Sequence, residues 1–191
     1  MSLFDGELEN ESICGVSDVR SSRFEDKPGF YEPAGLWFYG NIRLLHANLA
    51  YIEQARAKAE FSPTDLDEIE KQTERLVLDG KVLVCGIHNE GQSRSAIVPL
   101  RWGSPRIVVF SGGFYHHLGQ DLNEEPFRAA RLWRYQWDPK TDLAVSRRAP
   151  DRLPTFAKFN PGLDRLIAEI AMGTRQGLNS IFDTLTAIPS H

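Results

Sequence analysis

Two short, uninterrupted apolar segments, residues 81–87 and 105–111, constrain the fold of this chain more than any other feature. Each is too short for a typical helix and has the composition of a strand buried on both faces of a sheet. Segments with helical periodicity alternate with them, at residues 64–78, 93–100 and 160–171. Because such alternation favours βαβ units, the sequence predicts an α/β fold. We expect a Rossmann-like, mostly parallel sheet with helices on both faces.

Local signals mark the ends of these helices. Ser62 and Pro63 fit the N-cap and first position of the first helix, and Gly80 fits a left-handed residue after its C-terminus. Asn160 and Pro161 mark the start of the last helix in the same way. We also expect strands within residues 48–54 and 142–146, and helices at residues 123–135 and 178–188.

Length and composition indicate one globular domain. The chain has 191 residues, of which 41% are hydrophobic and 25% charged, close to the average for folded proteins. We assign residues 1–35 to an irregular N-terminal extension and residues 36–191 to a single Rossmann-like domain. Two cysteines exclude a disulfide scaffold or a four-cysteine zinc site. Neither a signal-peptide pattern nor a long apolar run is present, so we expect a cytoplasmic protein that does not enter a membrane.

Charge is distributed unevenly along the chain. Residues 1–80 hold 8 basic against 16 acidic residues, whereas residues 81–191 hold 14 against 10. Nine basic residues, seven of them arginine, fall within residues 128–165. This pattern suits either a solvated basic face or a phosphate-binding surface. The arginines could also pair with the acidic half, within one molecule or across a homodimer.

Candidate ligand-binding residues follow the carboxyl ends of the predicted strands, where parallel sheets bind ligands. Glycines there let backbone N–H groups approach a phosphate, or they form tight turns only. No Walker or dinucleotide-binding motif is present. Our candidate binding residues are Gly86, His88, Gly112, Gly113, Arg147, Arg148, Lys158 and Asn160.

Other side chains could carry chemistry. His88 and Glu90 would serve as acid and base in an enzyme, or form an exposed loop pair. His116 and His117, read as neighbours on a strand, would point to opposite faces and suit one metal poorly. We expect no metal and no cofactor. Cys85 is interpreted as a buried core thiol.

The tryptophans have two readings. Trp133 and Trp137, next to Arg131 and Arg134, either belong to the core or stack on nucleic-acid bases.

The order of elements resembles the DNA-processing protein A (DprA/Smf) family of the Rossmann-like SLOG superfamily. Residues 36–45 are similar to the family's Leu-x-x-x-Gly-Asn/Asp-x-x-Leu-Leu segment, and residues 82–86 and 107–114 to its glycine-ended strands. Phe156, Lys158 and Asn160 match positions of its Phe-Pro-Arg-Arg-Asn-Arg motif, where Pro161 replaces the final arginine. The resemblance covers about residues 36–170. It implies binding of single-stranded DNA and transfer of that strand to a recombinase-like partner.

These observations favour a protein that binds nucleic acid, single-stranded DNA in particular, or a nucleotide, and they favour a binding protein over an enzyme. Two alternatives stay open. One is a nucleotide-processing enzyme of the N-glycosidase or phosphohydrolase class, although the superfamily's Pro-Gly-Gly-x-Gly-Thr-x-x-Glu loop is absent. The other is a degenerate family member that acts through a protein partner.

Overall fold

A computed structural model describes residues 23–56, 58, 60–155 and 157–181 of the chain. Six strands and four α-helices account for most of its regular structure. The strands are β1 (Gly29–Tyr31), β2 (Leu36–Gly40), β3 (Leu49–Ala50), β4 (Val82–Gly86), β5 (Arg106–Phe110) and β6 (Leu143–Ser146). The helices are α1 (Pro63–Leu78), α2 (Glu90–Arg101), α3 (Phe114–Leu118) and α4 (Pro161–Ala171). Short 3-10 helices are Glu32–Ala34, Ile42–His46, Glu53–Ala55, Ala129–Leu132 and Leu178–Ser180.

All six strands form one mixed sheet in the order β1-β2-β6-β5-β4-β3. Strands β3 to β6 are parallel, and β2 runs antiparallel to both β6 and β1. The central strands β4, β5 and β6 are buried along their whole length, as their apolar composition requires. The predicted α/β, Rossmann-like, mostly parallel sheet is therefore confirmed.

Helices cover both faces of the sheet, as predicted. Helices α1, α2 and α3 pack on one face, where Ile69, Ala96 and Phe114 belong to the same buried cluster as Val108. Helix α4 packs on the other face, with Leu166 in a cluster that includes Phe24, Val84, Val109 and Val145. In the described part of the chain, no helix combines the length and apolar character needed to cross a membrane.

The helices begin where the capping signals predict. Ser62 and Asp65 form a reciprocal capping box at α1, in which Ser62 Oγ accepts a hydrogen bond from Asp65 N at 3.1 Å. Asn160 Oδ1 accepts from Leu163 N at 3.1 Å at the start of α4, where Pro161 takes the first helical position. These contacts satisfy backbone donors that a helix start otherwise leaves without partners.

Regular structure occurs earlier in the chain than the prediction allows. Residues 29–34, predicted to be irregular, form β1 and a 3-10 helix, and Phe24 is buried in the core. Strand β1 is only three residues long and pairs with β2 alone. Such a short edge strand depends on tertiary pairing and leaves no periodic pattern in the sequence. Residues 1–22 lie outside the described residues.

The prediction of a helix at residues 123–135 is wrong. Only Ala129–Leu132 forms a 3-10 helix there, and an isolated bridge joins Glu124 to Gln136. Pro126 lacks the N–H that a continuous helix would need, and the Glu125 side chain is bound to Arg106. In the C-terminal segment 178–188, Leu178–Ser180 is a 3-10 helix, and residues 182–188 lie outside the described part.

Candidate functional site

The connections that follow β5 and β6 leave the sheet toward opposite faces. Helix α3 follows β5 and packs on the first face, whereas α4 follows β6 and packs on the second. Where neighbouring connections diverge in this way, a parallel sheet leaves a crevice beyond the carboxyl ends of its strands. A cleft of about 320 Å³ lies there, and we call it the basic cleft. It is lined by Phe110, Ser111, Arg147, Arg148, Thr155, Ala157, Phe159, Asn160, Pro161 and Leu163.

Arg147 contributes a positive charge to the basic cleft. Within the described residues its side chain makes no hydrogen bond or ion pair, and Nη1 would lie 3.6 Å from a Cβ placed on Gly162, in the first turn of α4. Partial burial, with the nearby charges of Arg175 and Arg165, lowers the pKa of Arg147, while Glu169 acts in the opposite direction. A helix N-terminus is also electropositive. An anion at this position would relieve the repulsion between these positive groups.

Arg148 is fixed by its own loop. Its backbone N–H donates to Ser146 Oγ at 3.0 Å, and Nη1 donates to the Leu153 carbonyl at 2.9 Å. A guanidinium has five N–H donors, so donors remain for a ligand. Among the described residues, Arg147 has no partner and Arg148 is positioned by its loop, so the two guanidinium groups reach the same cleft in different ways.

Phe159 is a cleft residue that the sequence analysis missed. It lines the basic cleft, and 64% of its surface is exposed. An exposed aromatic ring next to two arginines provides a stacking surface beside a phosphate-binding group. Phe159 lies between Lys158 and Asn160 in a segment without regular structure, so it gives no periodic signal in the sequence.

Gly112 and Gly113 do not lie open to a ligand. A Cβ on Gly112 would collide with Pro154 Cα, and one on Gly113 would collide with the Pro150 carbonyl oxygen. The loop that follows β6 therefore covers both glycines, and it also accepts a hydrogen bond from Gly113 N at the Arg152 carbonyl. These glycines permit close packing between two loops, which agrees with the tight-turn alternative.

Gly86 lies at the same sheet edge, on the strand next to β5. Like Gly112 and Gly113, it is not open to a ligand. Its N–H donates to Gln92 Oε1 at 2.8 Å, and Gln92 Nε2 donates to Asp164 Oδ1 at 3.2 Å. This buried chain links β4, α2 and α4. The three glycines thus share an edge, but side chains and loops of the protein fill the space above them.

His88 and Glu90 do not form an exposed pair. The His88 side chain is 1% exposed, with Nε2 at 3.3 Å from Asp164 Oδ1, and Asp164 is 2% exposed. Neither ring nitrogen makes a hydrogen bond within the described residues. Glu90 is exposed in the first turn of α2. The expectation of a solvent-exposed loop pair is wrong for His88, because the side chain turns inward under α4.

Lys158 belongs to a neighbouring cleft. This second cleft, about 400 Å³, lies beyond β4 at the start of α2 and also contains Glu90. Ala157 and Phe159 line the basic cleft while Lys158 lines the second one, so the segment 157–159 forms a ridge between the two. The structure therefore groups Arg147, Arg148 and Asn160, and places Lys158 across the ridge.

His116 and His117 lie on α3 and not on a strand, which corrects their predicted geometry. His117 stacks on Phe110 at a centroid distance of 4.6 Å. Burial, and to a smaller extent His116, lowers the pKa of His117 to about 4. Within the described residues, no cluster of three or more His, Cys, Asp or Glu side chains could hold a metal ion.

Cys85 is a buried core thiol, as interpreted from the sequence. It is 1% exposed, and burial raises the pKa of its thiol to about 12. A thiol with such a pKa is hardly ionised at neutral pH and is a poor nucleophile.

Two of the nine basic residues in segment 128–165 have acidic partners nearby. Arg134 Nη1 donates to Asp142 Oδ2 at 2.7 Å, and Arg131 lies 3.6 Å from Glu124. Trp137 is 3% exposed and cannot stack on a ligand, whereas Trp133 is 49% exposed and lies against Arg101. The basic residues of segment 128–165 therefore do not share one environment: Arg131 and Arg134 lie near carboxylates, whereas Arg147 and Arg148 line the basic cleft.

The fold and the site together define an α/β protein with a Rossmann-like sheet and an arginine-bearing cleft at its carboxyl edge. Comparison with protein-family models, curated proteins and solved structures found no match. The resemblance to the DprA/Smf family stays a prediction, as do the single-stranded DNA and the recombinase-like partner that it implies.

Proposed function

We propose that this protein binds a phosphate-bearing ligand, single-stranded nucleic acid or a nucleotide, in the basic cleft. The observation that carries the proposal is the joint presence of Arg147, Arg148 and the exposed Phe159 in one cleft where the β5 and β6 connections diverge. Arginine binds phosphate through paired N–H donors. An aromatic ring stacks on bases of any sequence, which contributes about 1–3 kcal/mol per base.

Charge reversal tests the proposal. We expect Arg147→Glu with Arg148→Glu to weaken binding of fluorescent single-stranded oligonucleotides, as measured by fluorescence anisotropy, and to do so equally for oligothymidylate and for strands of mixed sequence. The salt dependence of binding should flatten by about 0.7 in log–log slope for each phosphate contact removed. Stacking on Phe159 would leave a remainder that is insensitive to salt. The matched control is Arg128→Glu with Lys140→Glu, two exposed basic residues on segments that lead to the opposite ends of the strands.

Three outcomes contradict the proposal. One is equal loss of binding in the control variant, which would indicate a general charge effect. Another, which contradicts the nucleic-acid form of the proposal, is a wild-type dissociation constant for the oligonucleotide weaker than about 10⁻⁴ M at physiological salt, the weak limit of non-specific binding. The third is a loss of thermal stability in the cleft variant with no wild-type binding to lose, which would assign these arginines to internal pairing.

A further inference from the structure

The second cleft differs from the basic cleft in its charge. It is lined by Lys58, Glu60, Phe61, Asn89, Glu90 and Lys158, and therefore contains two carboxylates and two ammonium groups. Lys58 Nζ also lies 3.2 Å from Asp65 Oδ1, which offsets its positive charge. Because carboxylates repel a phosphate, this cleft does not suit a second phosphate group. Carboxylates are instead good acceptors for the N–H groups of a neutral ligand.

Asn89 brings a buried donor to the same cleft. Its Oδ1 caps α2 by accepting a hydrogen bond from Gln92 N at 2.8 Å, whereas its Nδ2 makes no hydrogen bond within the described residues. The Asn89 side chain belongs to a residue that is only 6% exposed, and a buried donor without a partner is costly. A carbonyl oxygen bound in the second cleft would satisfy this donor.

Phe61 gives the second cleft an aromatic face. A Cβ on Gly91 would lie 2.6 Å from Phe61 Cε1, so the ring packs directly on the first turn of α2. On its other flank, Lys58 Nζ lies 5.8 Å from the ring centroid. The ring is therefore held beside Asn89 and Glu90. Aromatic rings in such positions stack on the unpaired bases of single strands, whose Watson–Crick edges are then free to form hydrogen bonds.

The two clefts share one wall. Ala157 and Phe159 line the basic cleft, and Lys158 between them lines the second cleft. A wall that consists of a single chain is about 5 Å thick, the spacing at which neighbouring extended chains pack. One nucleotide strand can therefore place a phosphate in the basic cleft and a base in the second cleft.

We propose that the second cleft is a base pocket that selects guanine. The Watson–Crick edge of guanine carries two adjacent donors, N1–H and N2–H, followed by the acceptor O6. The two donors pair with the Glu90 carboxylate, O6 accepts from Asn89 Nδ2, and the base stacks on Phe61. Adenine, cytosine and thymine lack two adjacent donor atoms and cannot use both oxygens of one carboxylate. That the same ligand also holds a phosphate in the basic cleft rests on the proposed function, whereas the base pocket does not.

Nucleosides test the pocket without a phosphate. In ¹⁵N-labelled protein we expect guanosine to shift the amide resonances of residues 60–61 and 89–91, and inosine, which lacks the N2 amino group, to shift them much less. Glu90→Gln should abolish the guanosine shifts. The matched control is Glu74→Gln, an exposed carboxylate on α1 outside the cleft, and it should retain them. Absence of the shifts in the wild type, or equal shifts with inosine, would overturn the proposal.

Strands test the selection of guanine. We compare an oligothymidylate with the same strand carrying one central deoxyguanosine, by fluorescence anisotropy. The guanine strand should bind about tenfold tighter in the wild type and in Glu74→Gln, and no tighter in Glu90→Gln. Because each protein is compared on two strands, a general charge effect cancels. Asn89→Asp keeps a capping oxygen but loses the Nδ2 donor, so it should reduce the preference.

Analogues of the central base identify the edge that is read. Replacement of guanine by 7-deazaguanine, which keeps the Watson–Crick edge, should preserve the preference, and replacement by hypoxanthine should remove it. Equal wild-type affinity for the guanine strand and the oligothymidylate would overturn the selection of guanine, while the proposed function would stand if Arg147→Glu with Arg148→Glu weakens both. If neither strand binds but guanosine shifts residues 89–91, the proposed function fails and the base pocket stands.

Discussion

At the residue scale, Asn160 has two tasks that an experiment can separate. It caps α4 through the bond from Leu163 N, and it also lines the basic cleft. We expect Asn160→Ala to lower the free energy of unfolding by about 1 kcal/mol through the lost cap. Asn160→Ser retains a capping oxygen and should restore most of that stability. Chemical denaturation measures both, and equal stability of wild type and the alanine variant would show that the cap contributes nothing.

His117, also at this scale, makes stability depend on pH. Its pKa falls from an ordinary 6.5 to about 4 in the folded protein, because burial opposes the charged form. The unfolded chain therefore binds the proton first as the pH falls, and the contribution of His117 to stability, present above pH 6.5, is lost between pH 6.5 and about 4. His117→Phe retains a ring against Phe110 and should reduce this pH dependence.

The control for this experiment is His46→Gln, because His46 is exposed. Thermal unfolding between pH 4 and pH 7 should give parallel curves for wild type and His46→Gln, and a flatter curve for His117→Phe. An equally steep curve for His117→Phe would assign the acid sensitivity to other groups.

At the element scale, a buried ionic network joins β5, β6 and the 123–135 segment at the amino ends of the strands. Arg106 is fully buried, and its Nη2 donates to both Glu125 oxygens at 2.7–2.8 Å while Nε donates to Asp142 Oδ2 at 3.0 Å. Arg106→Met would leave two buried carboxylates without this partner. We expect a loss of about 3–5 kcal/mol in stability.

Arg94→Met is the matched control for Arg106→Met. It removes an ion pair in which Arg94 Nη1 lies 2.9 Å from Glu70 Oε2, and the Arg94 side chain is 38% exposed. The expected loss of stability is therefore about 0–1 kcal/mol. Similar losses in the two variants, measured by urea denaturation, would contradict the assigned role of the buried network.

How far the elements could be predicted depends on where their stabilising contacts lie. The capping box at Ser62, the cap at Asn160 and the apolar runs of β4 and β5 are local in sequence, and each gave the correct element. The structural role of Arg106 could not be predicted from its neighbours in the sequence, because its partners Glu125 and Asp142 are 19 and 36 residues further along the chain. The same contact holds Glu125 away from the predicted helix.

The candidate site was predictable to a similar degree. Arg147, Arg148 and Asn160 follow from topology, since they lie between a strand end and a helix start at the carboxyl edge. The covering of Gly112 by Pro154 and the burial of His88 under α4 depend on how a loop and a helix return to the sheet. No local pattern records such contacts, so sequence reasoning counted these residues as accessible.

At the scale of the whole molecule, two exposed aromatic surfaces are alternative candidates for the ligand site. Phe159 lies in the basic cleft, whereas Leu132, Trp133 and Tyr135 are exposed on a segment whose neighbouring arginines are largely paired. Net charge cannot decide between them, because the chain is acidic as a whole at −4. Under the proposed function we expect the phosphate in the basic cleft, where Arg147 and Arg148 lie beside Phe159.

Photo-crosslinking tests this central claim most directly. An oligothymidylate that contains 5-iododeoxyuridine is irradiated with the 191-residue chain, and the modified residues are located by mass spectrometry. We expect the crosslink at Phe159, its loss on addition of unlabelled oligonucleotide, and a decrease in the variant with Arg147→Glu and Arg148→Glu. A crosslink confined to Trp133 or Tyr135, unchanged in that variant, would contradict the assignment of the basic cleft as the ligand site.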